Sequence, residues 1–295
     1  MTAQRTGRSQ PRLLLPVAAV FIAIVSLQGG ASIAKGLFPV VGAQGATALR
    51  LFFASLFMLA IWRPWRTPVP NGNRLPILAY GTVLGCMNLS FYMSLQTVPL
   101  GLAVALEFIG PLMVAVIASR KLIDILWVAM AAAGIAMLLA LGPKTSHVDP
   151  AGAAQALFAG VCWGLYIVFG KRAGANGGQG HAAGYGVIIA ALIVIPVGVA
   201  HAGTALLSPA LLPVALIVGL LTSAIPYSLE MVALSRMPQR IFGVLMSLEP
   251  ALGALSGFLF LQERLNLLQI AAVGLIMAAS AGVVLVDGAE PTPDA

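Results

Sequence analysis

Of the 295 residues, 60% are hydrophobic and only 8% are charged, and the mean hydropathy is +0.98. A soluble globular domain carries roughly 25% charged residues, so this chain cannot cover a water-facing surface, and the acyl chains of a bilayer must surround it instead. The formal charge of +7 does not argue for nucleic acid, because the basic residues occur in ones to threes between apolar runs, the topology signal of a membrane protein.

A bilayer core of ~30 Å needs roughly 20 helical residues at 1.5 Å each. Ten stretches meet that length, and none of the connections between them is long or polar enough to fold as a separate domain. The first, 13–34, follows Arg5, Arg8 and Arg12 and carries Gln28 and Ser32 on one face beside Gly29 and Gly30. The basic leader, the apolar run and Ser32-Ile33-Ala34 imitate a signal-peptide cleavage site, but the run is too long for an ordinary signal core, and we read it as a retained span. The second, 45–62, holds Arg50 and ends before Pro64-Trp65-Arg66. The third, 75–96, repeats polar residues every fourth position, at Asn88, Tyr92 and Gln96, which makes one stripe. The fourth, 99–119, contains Glu107 one turn before Pro111, where a kink can free backbone carbonyls.

The fifth span, 123–142, stops at Gly142-Pro143, and the sixth, 151–170, places Trp163 and Tyr166 on one face, too deep for an interfacial aromatic belt. A Gly-rich connection, Gly174 to Gly180, leads to the seventh, 183–200. The eighth, 211–234, has Tyr227 and Glu230 three apart on one face, with Glu230 toward the cytoplasmic end. The ninth, 241–261, contains Glu249-Pro250, and the tenth is 266–286. Lysines and arginines divide unevenly between alternate ends of these spans. One side takes Arg5, Arg8, Arg12, Arg63, Arg66, Arg74, Arg120, Lys121, Lys171, Arg172, Arg236 and Arg240, and the other takes Lys35, Lys144 and Arg264. The positive-inside rule therefore puts both termini in the cytoplasm.

Cys86 and Cys162 lie inside apolar segments without metal-type spacing, and His147, His181 and His201 are scattered over connections. Disulfide framework, metal site and cofactor are all unsupported. An enzyme embedded in the membrane would need a nucleophile, an acid–base pair or a metal cluster at one face; none is legible, so the chain reads as a transporter and not an enzyme. GxxxG pairs at Gly81–Gly85, Gly160–Gly164 and Gly253–Gly257 read as close helix packing inside a monomer, not as a dimer face.

An internal repeat sharpens the architecture. Pro99 and Pro111 are spaced as are Pro238 and Pro250, with Leu106 matching Leu245 between them, and AAAGIAMLLALG at 131–142 aligns with AAVGLIMAASAG at 271–282. Two repeats, 13–142 and 151–286, between cytoplasmic tails 1–12 and 287–295, would each hold five spans. An odd number inserts the second repeat upside down relative to the first. Inverted repeats put a substrate site near the midplane at their interface and work by alternating access. The expected fold is an all-α membrane protein of ten transmembrane helices in two inverted five-helix repeats.

The run from Pro226 to Leu285, with Leu248-Glu249-Pro250, Gln262-Glu263-Arg264-Leu265, Gln269 and Gly274, resembles the EamA repeat of the drug/metabolite transporter superfamily. The first half carries a weaker copy, with Gly110-Pro111 in place of Glu249-Pro250. SLQGGASIAKGLFPVVGAQGATALR near the start, TVPLGLAVALEFIGPL at 97–112 and PYSLEMVALSRMP at 226–238 resemble the bacterial threonine/homoserine exporter branch. That resemblance implies ten helices in inverted repeats and efflux of small hydroxylated amino acids across the inner membrane. Neighbouring branches export other metabolites, such as aromatic amino acids or drug-like cations, on the same scaffold.

Ionisable residues within spans cost at least ~2.5–3.5 kcal/mol on insertion scales, which makes them functional candidates. Arg50, Glu107, Glu230 and Glu249 are the four. Arg50 could hold a substrate carboxylate or form a structural clamp with a glutamate. Glu107 could receive the ammonium or carry a proton in antiport; Glu230 and Glu249 are coupling or gating candidates, and the motif position of Glu249 also suits an architectural role. Asn88, Tyr92, Gln28, Trp163, Tyr166 and Tyr227 complete the expected pocket. An amino acid, protons and lipid are the expected partners.

Overall fold

The computed structural model describes residues 11–63, 66, 71–118, 123–140, 149–174, 179–234, 236–237 and 239–287. The leader before Pro11, Pro64-Trp65, Arg120, Lys121, Gly142-Pro143, Lys144, His147, the centre of the Gly174–Gly180 stretch, Pro238 and the tail after Asp287 lie outside the described residues. Among those described, the regular structure is entirely helical. The helices are α1 (Pro11–Lys35), α2 (Phe38–Trp62), α3 (Arg74–Ser94), α4 (Leu100–Glu107), α5 (Ile109–Ala118), α6 (Asp124–Ala140), α7 (Pro150–Ala173), α8 (Gln179–Ala202), α9 (Leu212–Gly219), α10 (Ile225–Leu234), α11 (Gln239–Met246), α12 (Glu249–Leu261) and α13 (Leu267–Asp287).

Seven segments are long and apolar enough to cross a bilayer: Leu14–Lys35, Phe38–Trp62, Arg74–Ser94, Pro150–Ala173, Ala182–Leu207, Leu212–Glu230 and Ile241–Leu261. Leu100–Val114, Ile125–Met137 and Leu267–Gly282 are apolar but shorter. Large side chains such as Leu15, Ile22, Val161, Phe258, Leu259 and Phe260 point outward. In lipid such a surface carries no hydrophobic penalty, so the protein is a multi-pass membrane protein.

Three of the expected spans are interrupted, each just before a proline. Pro111 has no N–H for the carbonyl of Glu107, and the helix breaks at Phe108 between α4 and α5. Pro250 likewise has none for Met246, and α11 gives way to α12 at Ser247-Leu248. Pro226 has none for Thr222; there the chain widens into a π-turn, Leu220–Ala224, in which the Ile225 N–H donates to the Leu220 carbonyl five residues back. The second helix begins at Phe38, seven residues before the start expected from hydropathy. It accommodates a bend at Gly42, whose φ of 67° lies in the left-handed region open to glycine.

Helix α2 packs along α8, α3 along α7 and α8, α1 along α10 and α12, α6 along α13, and α4 between α7 and α12. The GxxxG glycines lie in these contacts within the chain: Gly81 and Gly85 meet α8, Gly253 meets Val104, and Gly160 meets α4. The last approach bears on the site, since a Cβ on Gly160 would lie 2.6 Å from the Glu107 carbonyl oxygen. One end of the bundle is tied by Glu263, where Lys35 Nζ donates to Oε1 at 2.6 Å and the Leu100 N–H donates to Oε2 at 2.7 Å. The carboxylate thereby joins α1 to the first turn of α4, where an anion is also favoured by the helix dipole.

Candidate functional site

The helix breaks surround a central cavity of about 880 Å³. Its wall contains all ten residues singled out from the sequence: Gln28 from α1, Arg50 from α2, Asn88 and Tyr92 from α3, Glu107 from α4, Trp163 and Tyr166 from α7, Tyr227 and Glu230 from α10, and Glu249 from α12. Ser32 is buried outside that wall, its hydroxyl donating to the Gln28 carbonyl at 3.1 Å. Gln96 does not continue the Asn88–Tyr92 stripe: α3 ends at Ser94, and Gln96 is exposed beyond it.

Arg50 is 5% exposed. Its Nε donates to Thr222 Oγ1 at 2.7 Å and its Nη1 donates to Asn88 Oδ1 at 2.5 Å. The guanidinium carbon stands 5.0 Å from the centre of the Tyr92 ring, within cation–π range. Asn88 Nδ2 donates to the Leu84 carbonyl at 2.8 Å, which turns Oδ1 toward the arginine. The only ion pair among the described residues is Lys35–Glu263. The sequence-level alternative, a clamp between Arg50 and a glutamate, therefore has no counterpart here: a buried cation is held by neutral groups.

The three glutamates all line the cavity. Glu107 closes α4 and Glu249 opens α12, both buried, while Glu230 on α10 is half-buried. Oε2 of Glu249 and Oε1 of Gln28 are buried acceptors without a hydrogen-bond partner among the described residues. Leaving such groups unpaired is costly, and a donor arriving in the cavity would relieve it. Aromatic rings form the rest of the wall. Tyr80 stacks on Tyr166 with centroids 4.8 Å apart, and Phe108 meets Trp163 edge-on at 5.3 Å.

The cavity is one-sided. It reaches the ends of α2 and α7 at Trp62 and the exposed Lys171, and the early part of α8 at Ala182. At the other end of α2, Lys35, Leu100 and Glu263 do not line it. Sequence reasoning missed Thr222 and Tyr80. Thr222-Ser223 is a small polar pair in the middle of an apolar span, and that was the available signal. Tyr80 sits near a helix start, where an interfacial tyrosine is unremarked.

The sequence profile of the EamA-like transporter family matches residues 150–285. The chain is 53% identical over 271 residues to the threonine/homoserine exporter RhtA of Escherichia coli K12, covering 92% of each chain. It is 53% identical over 277 residues to the protein of the same name from Salmonella typhimurium SL1344, covering 94% of each. A solved crystal structure with 18% sequence identity superposes with a TM-score of 0.59, covering 92% of this chain and 96% of that one. This last likeness concerns the fold alone.

Proposed function

Because the chain belongs to the EamA-like transporter family, we propose that it exports threonine, homoserine and similar small amino acids across the bacterial inner membrane, by alternating access coupled to proton entry. The observation that carries this reading is Arg50: a buried cation facing a cavity, with no carboxylate of the protein in ion-pair contact with it among the described residues. A zwitterion losing its water needs a cation for one end and acceptors for the other. Arg50 takes the carboxylate, Glu107 the ammonium, and Asn88, Tyr92 and Gln28 bond the polar side chain. Trp163, Tyr166 and Tyr227 wall the passage. Glu107 also exchanges the proton, with Glu230 and Glu249 as coupling or gating groups.

Ten membrane helices in two inverted repeats, 13–142 and 151–286, are part of the proposal. Seven long apolar segments, with three shorter apolar helices read as further spans, support that number. The packing supports a two-fold repeat: exchanging each span with its counterpart turns α3 against α7 into α10 against α1, and α3 against α8 into α9 against α2, and both pairs occur. Helices α2 with α8, and α6 with α13, are counterparts packed on each other. With the termini in the cytoplasm, the mouth at Trp62 and Lys171 faces the cytoplasm and the Glu263 tie closes the periplasmic end, a state ready to load. The working unit is a monomer.

Counterflow of labelled threonine in proteoliposomes tests the reading. Saturable exchange is expected with threonine and homoserine, together with proton movement in the opposite direction. A second reading, export of a larger amino acid, is favoured by the aromatic walls and a volume of about 880 Å³, more than a threonine fills. Aromatic amino acids and organic cations belong in the competitor panel; failure of threonine and homoserine to compete, with strong competition by either of those, would replace the first reading by the second.

A further inference from the structure

Resting on the amino-acid reading above, we propose that Thr222 is a positioning residue that presents Arg50 to the substrate carboxylate, taking the place a counter-ion would otherwise hold. A hydroxyl has one proton and two acceptor sites. The Thr222 proton goes to the Val218 carbonyl at 2.6 Å, so its oxygen meets Arg50 only as an acceptor, at 2.7 Å from Nε. Asn88 makes the matching contact from the opposite side, its amide orientation set by Leu84. Both partners are neutral, and both are 5% exposed or less. The guanidinium is thus fixed in direction without a carboxylate in ion-pair contact among the described residues. A carboxylate partner would fix it too, but would compete with the substrate for the same donors.

The backbone around Thr222 is shaped to this end. The π-turn that Pro226 imposes places Thr222 at its centre, and such wide turns are frequent at functional sites. Gly30 of α1 lies directly behind: a Cβ there would stand 2.6 Å from the Thr222 methyl group. The methyl seats against that glycine, which turns the hydroxyl of a side chain already stiff at χ1 toward Arg50. Threonine satisfies both demands, packing on one side and accepting on the other.

The test compares Thr222→Ser, which keeps the acceptor and loses the methyl, with Thr222→Val, which keeps the shape and loses the acceptor. In proteoliposome counterflow, Thr222→Val should raise the half-saturating threonine concentration about ten-fold or more, the size of one lost hydrogen bond to a charged group, and lower the maximal rate less. Thr222→Ser should stay within about three-fold of wild type, because the charged hydrogen bond remains. Should Thr222→Val not accumulate in the membrane, Thr222→Ala removes the same acceptor and is read against Thr222→Ser in the same way. Half-saturation of the acceptor-less variant at the wild-type concentration, or equal impairment of the serine variant, overturns the positioning role. Absence of threonine exchange in the wild type overturns the amino-acid reading instead, and the inference falls with it.

Discussion

Arg50 and Glu107 are where single side chains can be tested against single groups of a substrate. A guanidinium can grip a carboxylate through two parallel hydrogen bonds that an ammonium cannot reproduce. Arg50→Lys should therefore keep the fold and weaken transport, raising half-saturation by about ten-fold, the worth of one charged hydrogen bond. Arg50→Ala should do worse. Threonine methyl ester should compete poorly with threonine in the wild type, while the Arg50→Ala protein should discriminate little between ester and free acid. Equal discrimination by both proteins would remove Arg50 from carboxylate recognition. For Glu107, buried beside the α4–α5 break, the expectation is that Glu107→Gln accumulates normally but no longer concentrates substrate across the membrane. Retained uphill export in a pH gradient would assign proton coupling to another residue.

Among elements, the feature that organises the site is the interruption of three spans by Pro111, Pro226 and Pro250. A regular helix consumes its own backbone carbonyls; each proline withholds one N–H, and the breaks at Phe108, Leu220–Ala224 and Ser247-Leu248 all border the cavity. Their positions depend on close crossings. Because a Cβ on Gly160 would meet the Glu107 carbonyl oxygen at 2.6 Å, Gly160→Ala should force α4 and α7 apart. The cost should be about 1–3 kcal/mol, the usual range for overpacking, seen as a lower unfolding temperature in detergent. Gly274 on α13 has nothing within 4 Å of a built Cβ, so Gly274→Ala should leave that temperature unchanged or raise it, as expected for a helical glycine replaced at an open position. Similar losses at both glycines would mean that the crossing is not specially tight.

At the scale of the whole molecule, orientation and symmetry stand together. Reporter fusions after Pro70, Arg120, Gly177 and Ala295 should behave as cytoplasmic, and those after Lys144 and Ser208 as periplasmic; of these points only Ser208 lies within the described residues. Opposite behaviour at two or more sites would overturn the helix number or the orientation. The all-helical, multi-span character of the chain was open to reading in one dimension. Apolar length reports insertion directly, because each span needs its own run of about 20 residues to cross the core, and an ionisable residue inside such a run is conspicuous because its burial is costly. Arg50, Glu107, Glu230 and Glu249 were therefore legible, as were the repeated proline intervals and the EamA-like motif around Glu249. The partners of those charges were not. Which neutral atoms hold Arg50, that no described carboxylate pairs with it, and that Thr222 faces it from a π-turn all depend on α2, α3 and α10 meeting around one cavity. Hydropathy scores each residue against lipid, one at a time. A hydrogen bond between residues 172 positions apart exists only once the helices have packed, and that packing decides which polar side chain becomes a site.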